Sequence, residues 1–185
     1  MSIRSLVGAK PASQHLVSMG LGFLCLLLLG GTAHARKPTF TLQSARGRVE
    51  IQVEGKGSWR AIGRGTREAS PGDHIRTGPK SSVHIVTRDG ARISLGPKTE
   101  IVLQEPEQPR GWRVTLGRVW AAITGAGRLE VRAPGAIAAA EGTTFQIDVS
   151  EDGTTVLTVA EGRVQFYNEL GSVTVLGEQQ STARV

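Results

Sequence analysis

The sequence predicts an all-β chain: short antiparallel strands joined by Gly-rich turns, in a sandwich or a solenoid-like stack. Three observations carry this. Apolar and polar residues alternate with a period of two in short runs, which sets successive side chains on opposite faces of a strand. The runs recur about every 8–12 residues with a turn signal between them, the spacing of sandwiches and barrels. Beyond the N-terminal segment, no window of helical length shows a 3.6-residue period. The 24 glycines suit many tight turns, because glycine adopts positive φ without a steric penalty.

The N-terminal segment is read apart from the rest. Arg4 and Lys10 give a weakly basic start, Leu16 to Gly31 is an uncharged apolar run of 16 residues, and Ala33-His34-Ala35 follows. That is the three-part pattern of a secretory signal peptide, with cleavage expected between Ala35 and Arg36. A spanning helix wants about 20 apolar residues, so export to a periplasm is favoured over an inner-membrane anchor. Cys25, the one cysteine, lies inside the run beside Leu24, a neighbour that does not suit lipidation. The mature chain then has no thiol nucleophile, disulfide or thiolate metal site. Removing Arg4 and Lys10 lowers the formal charge from +6 to +4. Basic residues are scattered among the strands up to Gly135, and acidic residues dominate after it. This reads as a solvated surface, and nucleic acid is not an expected partner.

The mature chain divides into a short leader at 36–44, a β domain at 45–180 and a tail at 181–185. Val49, Ile51 and Val53 form the first strand, broken by Glu54-Gly-Lys-Gly57. Trp59 and Ile62 lead into a loop from Gly63 to Gly72. A short strand around Ile75 ends at Gly78-Pro79. Val83, Ile85 and Thr87 share one face of the next strand, Arg88-Asp-Gly90 turns, and Ile93 and Leu95 return. After Gly96-Pro97 come Ile101 and Leu103, then a loop at 105–111. Val114 and Leu116 follow, then Val119, Ala121 and Ile123, then Leu129 and Val131. Ala136 to Glu141 could form a helical turn by propensity, but it is too short between Pro134-Gly135 and Gly142 to stand as a helix. Phe145, Ile147 and Val149 alternate, Ser150-Glu-Asp-Gly153 turns, Leu157 and Val159 resume, and Val164 and Phe166 follow Gly162. Val173 and Val175 close the series. A Gly-Arg-Val phrase recurs at 47–49, 117–119 and 162–164, each time with glycine ending a turn before a short strand.

Chemistry-bearing motifs are sparse. The mature chain has two histidines, His74 and His84. His84 is expected to face solvent, opposite Val83 and Ile85. There is no Gly-x-Ser-x-Gly elbow and no His-Glu-x-x-His pair. Asp73, Asp89, Asp148 and Asp152 lack the spacing of a calcium loop. No phosphate-cradling Gly-rich loop opens a helix. No cofactor, metal or catalytic residue is expected. The indoles are expected first to fill the core of a chain poor in aromatics; as the alternative, Trp59-Arg60 and Trp112-Arg113 are candidate binding platforms, since an exposed indole beside arginine suits sugars and peptides. Trp112, bordering the 105–111 loop, is the best candidate for exposure, with Arg113 and Arg110 as further partner contacts.

The phrase Trp59, Gly72-Asp73-His-Ile75-Arg-Thr77-Gly78, Val83-His-Ile85 and Asp89-Gly90 resembles the FecR domain. So does the distal phrase Val131-Arg-Ala-Pro134, Glu141-Gly142-Thr143-Thr-Phe145 and Val159-Ala-Glu-Gly162-Arg-Val164. The resemblance covers roughly residues 45–180. It implies an all-β extracytoplasmic domain, in its best-known setting the periplasmic part of a membrane-spanning sigma-factor regulator that takes a signal from an outer-membrane TonB-dependent transporter. It implies turn and packing roles for the matching glycines and threonines. Only 15 residues precede Leu16 and the chain stops at Val185, so the expectation is a stand-alone exported member. The function expected first is a non-enzymatic envelope sensing, signalling or assembly module, which binds a protein partner through a sheet edge or the 105–113 loop. The alternative is a module for peptidoglycan or another envelope glycan.

Overall fold

The computed structural model describes residues 40–104, 110–124 and 127–185. The expected cleavage site at Ala35 and Arg36, residues 36–39 of the expected leader and most of the 105–111 loop lie outside the described residues.

Sixteen strands follow in order. They are β1 (Phe40–Arg46), β2 (Val49–Gln52), β3 (Arg60–Ala61), β4 (Arg67–Ala69), β5 (His74–Thr77), β6 (Ser82–Thr87), β7 (Arg92–Leu95) and β8 (Glu100–Leu103). Then come β9 (Arg110–Ala122), β10 (Arg128–Arg132), β11 (Ile137–Glu141), β12 (Thr144–Val149), β13 (Thr155–Glu161), β14 (Arg163–Asn168), β15 (Gly171–Leu176) and β16 (Gln179–Ala183). One sheet runs β4-β1-β6-β7-β9-β12-β13-β16. The other runs β3-β2-β5-β8-β9-β10-β11-β14-β15. The chain passes repeatedly from one sheet to the other, in the manner of a solenoid. The buried side chains of both sheets form one cluster, with Leu42, Ile85, Phe145 and Leu157 from the first and Ile51, Ile75, Trp112 and Val131 from the second. Burying each large apolar side chain contributes about 1.5–3 kcal/mol.

The all-β expectation holds, with differences in detail. The pair β9–β10 is parallel, and β9 is a 13-residue strand where the sequence reading had two. The reason is Gly117, at φ +92°. Trp112 and Val114 are buried before it, and Val119 and Ala121 after it, so the inward parity changes at the glycine. The first half of β9 bonds to β8 and β10, the second half to β7 and β12. Ala136 to Glu141 is no helical turn: Ile137–Glu141 is β11, hydrogen-bonded on both sides. Ala138 and Ala140 are buried there, and pairing on two sides overrides alanine's helical preference. The expected leader is shorter than drawn, because Phe40 and Leu42 are core residues of β1. Residues 181–183 of the expected tail belong to β16, bonded to β13.

The three Gly-Arg-Val phrases mark the corners. Gly47, Gly117 and Gly162 all sit at positive φ, and each is met by a hydroxyl. The N–H of Arg48 donates to Ser81 Oγ at 2.9 Å and the N–H of Arg118 to Thr99 Oγ1 at 2.9 Å. Thr143 Oγ1 donates to the carbonyl of Arg163 at 3.0 Å. Ser81 and Thr99 end two matching turns, Gly78-Pro-Lys-Ser81 and Gly96-Pro-Lys-Thr99. In both, lysine occupies the left-handed region, at +55° for Lys80 and +51° for Lys98. The turns stack: Gly78 N–H donates to Arg48 O, Lys98 N–H to Gly78 O, and Gly96 N–H to Arg118 O. A ladder of corners thus ties β1–β2, β5–β6, β7–β8 and the bend of β9 together.

Two substitutions test the ladder. Thr99→Val keeps the shape but removes the acceptor for Arg118 N–H, and should cost about 1–3 kcal/mol in urea unfolding with an unchanged slope. Gly117→Ala would set a Cβ 2.5 Å from Thr99 Cα at a strained φ, and should cost about 2 kcal/mol or more. Thr115→Val, on the exposed face of the same strand, should stay within about 0.5 kcal/mol of the parent.

Candidate functional site

The motif residues singled out from the sequence are spread over corners, turns and core. Ser70-Pro-Gly72-Asp73 is a tight turn with Gly72 at φ +84°. The buried Asp73 accepts from the N–H groups of Ser70 at 2.9 Å and Glu54 at 3.1 Å. Ile75 and Phe145 are core residues. Thr77 accepts from Thr99 N–H at 2.9 Å and donates to the carbonyl of Gly96 at 2.6 Å. The backbone of Gly78 is in the ladder. Asp89 and Gly90 form the β6–β7 hairpin, where Gly90 N–H donates to Thr87 O. Gly142 and Thr143 carry the chain from β11 to β12, and Gly162 carries it from β13 to β14. They serve as turn, corner and core residues and do not converge on one spot.

The histidines are also apart. His74 is on β5, in one sheet, and the exposed His84 is on β6, in the other, its Nδ1 2.7 Å from Ser94 Oγ. Among the described residues, no three His, Cys, Asp or Glu side chains are grouped so as to hold a metal ion.

The tryptophans require a correction. Trp112 is 1% exposed and fully in the core, because it shares its inward parity with Val114. Arg113 therefore points to the opposite, exposed face, so Trp112 and Arg113 make no common surface. The side chain of Arg110 lies outside the described residues. Trp112 instead lines a cavity of about 310 Å³ with Phe40, Ile123 and Leu129 inside and Arg88, Asp89 and Arg128 among its polar lining. Trp59 is half-covered, with the Arg76 guanidinium 4.1 Å from its ring centroid. Arg76 Nε lies 2.7 Å from Glu50 Oε2, and Arg48 Nη2 lies 3.1 Å from Glu50 Oε1. The bonds from Arg76 and then Arg48 hold the Glu50 carboxyl below the usual glutamate range.

The exposed indole is Trp120, at 38%. It lies on the outer face of the first sheet, in a row that crosses six strands in register: Gln43, His84, Ser94, Trp120, Gln146 and Thr158. Its surroundings are pinned. Arg118 Nε donates to Asp148 Oδ1 at 2.5 Å, and Gln146 Nε2 donates to Asp148 Oδ2 at 2.6 Å. This feature was open to sequence reasoning: Val119, Ala121 and Ile123 on one face of a strand put Trp120 on the other.

A second surface is the end of the second sheet. Its edge strand β15, Gly-Ser-Val-Thr-Val-Leu, carries no charge and is bonded on one side to β14. Val173 and Leu176 are about half exposed and Leu170, in the turn before it, almost fully. The other three edges differ. β3 and β4 are two and three residues long with charged side chains, and β16 is Gln-Gln-Ser-Thr-Ala.

The family model described as FecR protein matches residues 73–165. No curated protein matches the chain. Two crystal structures of a candidate anti-sigma factor from Parabacteroides distasonis ATCC 8503, at 1.65 and 2.50 Å, are similar to it. Each has a TM-score of 0.54 and 17% identity, over 60% of this chain and 54% of that one. The chain thus spans about half the length of the solved structures it matches, and the likeness is one of fold.

A lowered carboxyl value contributes stability that is complete above the ordinary glutamate range and is lost as pH falls through the folded value. Glu50→Gln should therefore lower the unfolding midpoint at neutral pH. The gap to the parent should close as the pH falls below the ordinary value of 4.5, as read by thermal melts across pH.

Proposed function

Because the chain belongs to the FecR protein family, we propose that it is a non-enzymatic sensing and signalling module of the periplasm that works by taking an extended segment of a protein partner along β15. The observation that carries this is the state of that edge. An open edge strand presents unpaired N–H and C=O groups, and proteins normally guard such edges with short length, lysine, proline or a bulge. β3, β4 and β16 carry guards of that kind or polar faces; β15 is the longest of the four edges and is uncharged. Its β-branched residues and the half-exposed Val173 and Leu176 offer what strand addition uses: main-chain bonds for affinity and alternate side chains for specificity.

The periplasmic setting rests on the N-terminal pattern, with its 16-residue apolar run and Ala33-His34-Ala35. The signalling role rests on the family and on the fold shared with a candidate anti-sigma factor. An envelope protein, including one in a membrane, is the partner this reading requires. Neither a cofactor nor a catalytic group has a part in it.

Photo-crosslinking groups placed one at a time along β15 and β16 in the producing cell test the proposal. A single protein band should form from alternate positions of β15 and from none of β16. Val173→Lys, which guards the edge with a charge, should reduce that band at least tenfold while lowering stability by only about 1 kcal/mol. Equal crosslinking from both strands, or a band indifferent to the lysine, would contradict it.

A further inference from the structure

The outer face of the first sheet carries a second binding surface, separate from β15. An indole 38% exposed in a cross-strand row otherwise built of amides, hydroxyls and imidazole is not explained by packing. Trp59 lies under Arg76 and Trp112 lies in the core, whereas Trp120 offers its ring to solvent. The groups beside it are held in place before any ligand arrives. Asp148 fixes both Arg118 and Gln146, and His84 is bonded to Ser94. Preorganised polar groups lose little freedom on binding.

The shape and charge of the surface select the ligand. The row from Gln43 to Thr158 crosses six neighbouring strands, and five spacings of about 4.8 Å give a continuous track of roughly 24 Å. Trp120 stands on the outer face of a sheet between neighbouring strands β7 and β12, a setting that offers a compact small molecule little to bury itself in. The row itself holds no lysine or arginine, Arg118 beside it is paired with Asp148, and Arg92, diagonal to the indole on β7, is a single cation, so the track lacks the line of positive charge that a polyanion needs. A protein interface would need a larger apolar core around the anchor.

We propose that this track binds a linear, uncharged β-1,4-linked glycan strand. The apolar C–H face of one sugar ring stacks on Trp120, and the hydroxyl groups of the neighbouring rings bond to Ser94, Gln146 and Thr158. An extended β-1,4-linked ribbon can follow a line of side chains across neighbouring strands; a coiled α-1,4-linked chain does not.

Calorimetric titration of the purified protein with cellohexaose, chitohexaose and maltohexaose tests this. Binding of one or both β-linked hexasaccharides, with none of maltohexaose, is the expected result. Trp120→Ala should weaken binding at least tenfold with an unchanged unfolding midpoint, since the ring points outward. Gln146→Ala, which removes a sugar-bonding amide and leaves Asp148 held by Arg118 alone, should weaken it several-fold. Trp59→Ala and Val173→Lys should leave it intact, which separates this surface from the β15 edge. Failure of both β-linked sugars to bind, equal binding of maltohexaose, or undiminished binding by Trp120→Ala would overturn the proposal.

Discussion

The hydroxyl of Thr99 sits where β9 leaves one sheet for the other. It accepts from the N–H of Arg118 and lies 3.2 Å from the carbonyls of Arg118 and Pro97. Thr99 N–H is in turn held by Thr77. Since β9 is the strand common to both sheets, this corner joins their hydrogen-bond networks. Gly117 must be glycine there, because its backbone passes against Thr99 at a φ that other residues adopt only with strain. Ser81 beside Gly47 and Thr143 beside Gly162 repeat the arrangement at other crossings. The repeated Gly-Arg-Val phrase therefore has one physical meaning: glycine turns the corner, a neighbouring hydroxyl satisfies the freed backbone groups, and valine enters the core.

Both proposed surfaces depend on that frame. The bend at Gly117 resets the parity of β9, and the reset faces Trp120 outward while Trp112, eight residues earlier, faces inward. Among the described residues, the alternation from one sheet to the other also leaves the second sheet ending at β15, which pairs with β14 alone. A rigid sheet fixes the row through Trp120 with no loop to order, and the edge of β15 is available at the same time. One surface is a face and the other an edge, so occupation of one does not block the other.

Much of the fold was legible in the sequence, because a period of two is a direct consequence of the pleat. Phe145, Ile147 and Val149, or Val83 and Ile85, read as strands with their buried faces correctly assigned. What alternation lacks is any statement of pairing. It could not show that 110–122 is one strand with a glycine bulge, since the parity change looks like a break. It could not show the parallel pair β9–β10, nor that alanines 138 and 140 lie in a strand bonded on both sides. Core burial, the reading favoured for the indoles, holds for Trp112; proximity to the 105–111 loop makes Trp112 the best candidate for exposure, whereas parity selects Trp120. Val114 on one side and Val119 and Ala121 on the other already distinguished the two indoles. The matching Gly-Pro-Lys-Ser and Gly-Pro-Lys-Thr turns were present as a repeat, but their stacking is a tertiary fact. The β15 edge was legible as an uncharged run and became an edge only when the sheet order was known.

Residue-resolved hydrogen exchange on the isolated protein addresses the central claim, that a ladder of corners fixes a frame whose last edge is open. The account predicts that the amides of Arg48, Thr99 and Arg118 exchange only through global unfolding. Apart from Leu176, whose N–H donates to Gln179 Oε1, the β15 amides that do not bond to β14 should exchange close to the rate of a free chain. Fast exchange at the corners would show that they do not hold the frame. Protection all along β15 in the isolated protein would show that the edge is already covered, and would contradict its role as the docking strand.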